Sequence, residues 1–155
     1  IFGDQNEWEV ASGVPHIPFE ALDADYEIDK EAYLGYFRKM HQLFPKCKKM
    51  LMAVRNQIAS SHHTLSGLLY DAVEDQLYTT RIYDIEPIVD PMGVGDAFIA
   101  AYIHAHQKWG DKNQYCLDFS LSASAIKNTV PGDQNLVTEE EIINNMTSSG
   151  GRIQR

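Results

Sequence analysis

Eleven consecutive residues constrain this chain most: Ile88-Val89-Asp90-Pro91-Met92-Gly93-Val94-Gly95-Asp96-Ala97-Phe98. Ile88-Val89 reads as the end of a buried strand that Asp90-Pro91 stops. Two glycines bracket Val94, and Asp96 follows. From Ala97 the pattern turns apolar at helical spacing, which predicts a helix from Asp96 to Trp109 ended by Gly110. Strand, glycine turn and helix start make an anion-binding geometry. The first N–H groups of a helix lack partners inside it, and its dipole makes that end partly positive. Glycines let a phosphate come close to the backbone. A carboxylate at such a mouth repels an anion. Asp96 makes sense there if it faces a hydroxyl that must shed its proton to attack a phosphoryl group. It equally suits a plain helix cap, and the local string leaves both open.

Charge narrows the partners. A net charge of −9 over 155 residues argues against nucleic acid or an anionic membrane surface. A phosphate site must then rest on a local positive feature, which a helix N-terminus supplies. With 44% hydrophobic and 23% charged residues, the composition suits one soluble globular domain. No apolar run is long enough for a bilayer. The two cysteines, Cys47 and Cys116, are far apart and read as reduced thiols, so the expected location is cytoplasmic.

Along the chain, Ile1-Phe2-Gly3 reads as a strand end and Glu7 to Ala11 as a short helix. Gly13 to Asp25 is loop-like. Tyr33, Phe37, Met40 and Phe44 form a helical stripe from Asp29 to Pro45 that fits packing against a sheet. Lys46, Lys48 and Lys49 read as a solvated loop. Met50 to Val54 fits a strand buried on both faces of a parallel sheet. Arg55 to Thr64 is polar and is expected as a loop at that strand's C-terminal end, where α/β proteins place ligands. Adjacent residues of an extended segment point to opposite sides, so His62 and His63 do not suggest a shared metal. Leu65 to Tyr70 and Gln76 to Tyr83 predict a hairpin-like pair of strands. A helix of small residues is predicted from about Gln114 to Asn128, suited to close approach of another backbone or of a flat ring. Thr138 to Glu141 predicts a capping box that starts a last helix. Alternating strands and helices imply a three-layer α/β/α sandwich with a mostly parallel sheet.

The signature resembles the second motif of the ribokinase/pfkB carbohydrate kinases, Asp-Thr-x-Gly-Ala-Gly-Asp-x-Phe. Asp90, Gly93, Gly95, Asp96 and Phe98 match, while Pro91 and Val94 depart. Val94 keeps its N–H, so no donor is lost. Lys127-Asn128-Thr129-Val130-Pro131-Gly132-Asp133-Gln134-Asn135 and the tail Gly151-Arg152-Ile153-Gln154-Arg155 resemble segments of the 2-keto-3-deoxygluconate kinases. The resemblance spans the whole chain and corresponds to the C-terminal, nucleotide-binding half of a ribokinase-like fold. It implies that residues 1–155 are part of a longer kinase domain whose sugar-binding half and lid are not in this chain.

The activity implied is ATP-dependent phosphorylation of a sugar hydroxyl, with 2-dehydro-3-deoxygluconate giving its 6-phosphate. A fructokinase- or ribokinase-type enzyme and a non-catalytic nucleotide-binding fragment are the alternatives. The resemblance makes Asp96 the base that meets the substrate hydroxyl. It gives the N–H groups around Gly93, Val94 and Gly95 the transferring phosphoryl group. Arg55, Gln57, Ser60 and Asn128 become nucleotide contacts, Arg55 through its planar fork. The family's Asn-x-x-Glu motif, which helps organise Mg²⁺, falls on Asp4 to Glu7, with Asp4 in place of Asn. That makes Glu7 an indirect metal residue, although the same pair also suits helix capping. For the complete protein the resemblance implies a homo-oligomer.

Overall fold

The computed structural model describes residues 1–18 and 26–148. The predicted tail Gly151 to Arg155 and the later part of the Gly13 to Asp25 loop lie outside the described residues. The order of elements is β1 (Phe2–Gly3), α1 (Gln5–Ser12), α2 (Lys30–Leu43), β2 (Lys49–Ala59), β3 (His62–Asp71), β4 (Gln76–Thr79), β5 (Tyr83–Ile85), α3 (Val94–Trp109), α4 (Asn113–Lys127) and α5 (Glu139–Thr147).

The α/β/α sandwich is as expected. Alternation along β2 and β3 sends successive side chains to opposite faces. Met50, Met52, Val54, Leu68 and Tyr70 meet α1 and α2, where Trp8, Tyr33, Phe37 and Met40 fill the layer. Leu51, Leu65 and Leu69 meet the opposite layer, built from α3, α4 and α5. Helix starts follow the chemistry of their first residues. Asp29 accepts the Ala32 N–H at 3.0 Å to start α2, and Thr138 with Glu141 forms the predicted capping box of α5.

The sheet itself is mixed rather than mostly parallel. Among the described residues β1 pairs with β2 in parallel, while β2 with β3, β3 with β4 and β3 with β5 are antiparallel. The reason lies in the segment Arg55 to Thr64. It is not a loop, because β2 runs on through Arg55 and Gln57 to Ala59, turns at Ser60-Ser61 and returns as β3. Arg55, Gln57 and Ala59 along one side of it are exposed, so polar residues there do not break the strand. Lys49 also departs from expectation. Its Nζ donates to Asp111 at 2.6 Å and to Asn113 at 2.7 Å, which replaces the hydration it gives up.

Candidate active site

The signature begins after the sheet has ended. β5 stops at Ile85, and Val89 is 55% exposed, so Ile88-Val89 is not the end of a buried strand. Its N–H groups have other partners. Ile88 donates to the Ser61 carbonyl at 2.9 Å, and Val89 donates to the Asn128 carbonyl at 2.8 Å. The segment is a bridge from the β2–β3 turn to the end of α4.

Asp90 then ties two loops. Its carboxylate accepts the Met92 N–H within its own loop and the Gly132 N–H of the Pro131-Gly132-Asp133 turn, each at 2.9 Å. These two donors hold its carboxyl below the usual carboxylate range, because they favour the charged form. Gly93 follows at φ +75°, a conformation that favours glycine. A Cβ there would also sit 2.0 Å from the Asp133 carbonyl oxygen. Gly93 is therefore required twice, for its backbone angle and for the approach of the second loop.

Helix α3 starts at Val94 with no side chain bonded to its end. The N–H groups of Val94, Gly95 and Asp96 accordingly have no partner within the helix. Asp96 is exposed and is the third helical residue, so it is not the N-cap. A Cβ built on Gly95 meets nothing within 4 Å. Gly95 is thus free to lie against a ligand. The arrangement is a positive helix end, open at one glycine, with a carboxylate on its rim.

The remaining expected residues are placed unevenly. Ser60 is exposed in the turn whose next residue, Ser61, holds Ile88. Gln57 and Arg55 are exposed on β2, on the face toward α3 and α4 by strand alternation. Arg55 borders a cavity of about 170 Å³ shared with Asp4, Gln5, Asn6, His16 and Ala53. Glu7 accepts the Asp4 N–H at 2.9 Å while Asp4 accepts the Glu7 N–H at 2.9 Å, so the capping reading of this pair is realised. Among the described residues, no hydrogen bond or ion pair joins Arg55 or Glu7 to the signature loop. Asn128 is 0% exposed; its Nδ2 donates to Ser124 and its carbonyl holds Val89 and Asp90, so it offers no surface to a ligand here.

The small residues of α4 serve helix packing rather than a ring. Ser124 donates to the Val94 carbonyl at 3.0 Å, and Ser122 donates to the Ile142 carbonyl at 2.9 Å. They let α3 and α5 approach α4 closely and fix the start of α3. Two buried groups escaped the sequence reading. His63 faces this layer next to Asn128, and burial pushes its imidazole down to about 4. Lys127 lies wholly buried under the signature loop. Its place in the Lys127 to Asn135 motif was the only signal.

Comparison with family models gave no match, and comparison with curated proteins gave none. Solved structures do match. A 2-dehydro-3-deoxygluconokinase from Thermotoga maritima is 23% identical with a TM-score of 0.79, over 95% of this chain and 40% of that one. A PfkB family carbohydrate kinase from Listeria grayi is 27% identical with a TM-score of 0.68, over 80% of this chain and 40% of that one. Ribokinase from Arabidopsis thaliana, solved with ribose and ATP, is 21% identical with a TM-score of 0.68, over 96% and 40%. The chain spans about 40% of the length of each of these. The fold is therefore ribokinase-like. Its neighbours are PfkB-family carbohydrate kinases, the family that the motifs resemble. No helix among the described residues is long and apolar enough to cross a membrane.

Proposed function

We propose that this chain is the nucleotide-binding, phosphoryl-transfer part of an ATP-dependent sugar kinase that converts 2-dehydro-3-deoxygluconate to its 6-phosphate. The observation that carries the reading is an exposed Asp96 in the first turn of a helix whose N–H groups are uncapped. A site that only bound anions would be weakened by that carboxylate. A site that transfers a phosphoryl group to a hydroxyl needs it.

In this reading the N–H groups of Val94, Gly95 and Asp96 face the terminal phosphate of ATP and stabilise charge on the transferring group. Asp96 takes the proton of the sugar hydroxyl as its oxygen bonds to phosphorus and the bond to ADP breaks. Arg55, Gln57 and Ser60 line the β2 side of the same layer, where Arg55 suits phosphate oxygens. Among the described residues, no three or more histidines, cysteines or carboxylates are placed together so as to hold a metal ion. Mg²⁺ would accordingly be held by phosphate oxygens and water, with Glu7 acting indirectly, and would neutralise phosphate charge when bound.

Two features support the sugar acid: the resemblance of Lys127 to Asn135, and the likeness to the Thermotoga enzyme. Its carboxylate would be recognised by a part of the protein outside this chain. The test is ADP release by the complete protein with 2-dehydro-3-deoxygluconate, fructose, ribose and adenosine. The sugar acid should give the highest kcat/KM. A win for fructose or ribose removes the substrate and keeps the chemistry, whereas no sugar-dependent ADP release removes the kinase reading.

A further inference from the structure

Lys127 is the last residue of α4 and is 0% exposed. Taking an ammonium out of water is costly unless polar groups replace its hydration. Its Nζ donates to the Val130 carbonyl at 3.1 Å and to the Asp90 carbonyl at 3.4 Å. The partial negative charge at the end of α4 adds to these. Lys127 is also near enough to the Asp90 carboxylate to help hold it ionised. An apolar side chain could fill this volume without the desolvation cost, so packing alone does not call for a lysine.

What the ammonium does have is a position between two loops. Asp90 opens the signature loop, and Val130 leads into the Pro131-Gly132-Asp133 turn. The same loops meet at the Gly132 N–H bond to Asp90 and at the contact of Gly93 with the Asp133 carbonyl. Lys127 is the cationic tie in that seam, and the seam sets the entry of the chain into α3. A charge in a buried setting also acts over a longer range than one in water. That matters in a chain whose net charge is −9.

We infer that Lys127 is a positioning residue of the phosphate site. Its buried ammonium clamps the Asp90 loop onto the Val130 to Asp133 turn, aims the N–H groups of Val94 to Asp96, and places positive charge behind them without touching the ligand. The ligand in this inference rests on the kinase reading above; the clamp does not.

The experiment combines amide hydrogen exchange at Met92 and Gly132, the two donors to Asp90, with calorimetric binding of ATP and of inorganic tripolyphosphate. It compares the complete wild-type protein with its Lys127→Met and Lys127→Gln variants and a control, Phe37→Leu, in the layer on the other face of the sheet. Gln keeps a donor and gives a folded variant should Met fail to fold. Loss of a bond from a charged donor should speed local exchange by about tenfold or more in both Lys127 variants. Affinity for both probes should fall by a similar factor, and Phe37→Leu should leave both readouts at wild type. Unchanged exchange overturns the clamp. Faster exchange with unchanged affinity overturns its link to the phosphate site. If the complete wild-type protein binds neither probe, the kinase reading falls, and exchange alone decides for or against the clamp.

Discussion

On one face of the sheet, Trp8, Tyr36 and Phe37 stack and cross edge-on within 6.3 Å of one another, over Met50, Met52 and Tyr70. On the other face, the Ser124 hydroxyl of α4 donates to the Val94 carbonyl of α3, and at the end of α4 the Asn128 amide and the Lys127 ammonium donate to the Ser124 and Val130 carbonyls. The first layer gains stability from large apolar area, which any set of side chains of similar volume supplies. The second brings backbones close and fixes them with directional bonds. The candidate site lies on the second. Large side chains fill both layers, Phe98, Tyr102 and Phe119 among them in the second, but only in the second do directional bonds also fix the loops and helix ends that frame the site.

Breaking the chemistry while keeping the seam gives the largest effect. Asp96→Asn preserves shape and should lower kcat of the complete protein by ~10²–10⁴, the usual cost of losing a positioned base. Nucleotide affinity should hold or rise slightly as a negative charge leaves the site. Turnover within a few-fold of wild type would rule out the assigned role.

The aromatic layer should show the opposite pattern. Phe37→Ala opens a cavity in a fully buried position and should cost about 3–5 kcal/mol in denaturant unfolding. Well below its new denaturation midpoint, ligand affinity per folded molecule should be unchanged. A specific loss of affinity would mean that the two faces are coupled. Gly93→Ala, in the seam, adds a Cβ against Asp133 at a left-handed angle. It should cost at least about 1–3 kcal/mol and also weaken nucleotide binding.

Acid tests the polar seam further. His63 is neutral in the fold, with its value pushed from 6.5 to about 4 mainly by burial. Between those values the unfolded chain binds more protons than the folded one, so stability should fall as pH drops from 6.5 toward 4 and level off for this group below that. Melting temperatures of wild type and His63→Gln across this range should converge as the pH falls. Parallel curves would show that His63 does not titrate on unfolding. The smallest effect is expected at Gly95, beside open space. Gly95→Ala should stabilise the helix by up to ~1 kcal/mol, while its methyl group reduces affinity for ATP. Stabilisation without loss of affinity would place the ligand elsewhere.

Much of this was legible in the chain. The α2 stripe of Tyr33, Phe37 and Met40, the Gly110 stop and the Thr138 box all appeared where local pattern put them, because each depends on neighbours within one or two helical turns. Asp96 was legible as chemistry but not as geometry. Only the helix start at Val94 shows that it stands past the cap. The polar run from Arg55 failed as a loop, since strand pairing with β3 outweighs local polarity when one face meets solvent. Asn128 was legible as a motif residue but not as a buried one: α4 ends beneath the signature loop, where its Nδ2 donates to the Ser124 carbonyl and its own carbonyl accepts from Val89 and Asp90.

The sequence by itself determined the periodicities, the caps and a glycine-framed carboxylate, all set by steric and hydrogen-bonding rules that act over a few residues. Tertiary structure alone decided that Asp90 and Gly132, 42 positions apart, share a hydrogen bond, and that Lys127 is buried between their loops. Such contacts depend on how α4 docks against α3. The docking is fixed by the summed packing of the layer, which no local string encodes.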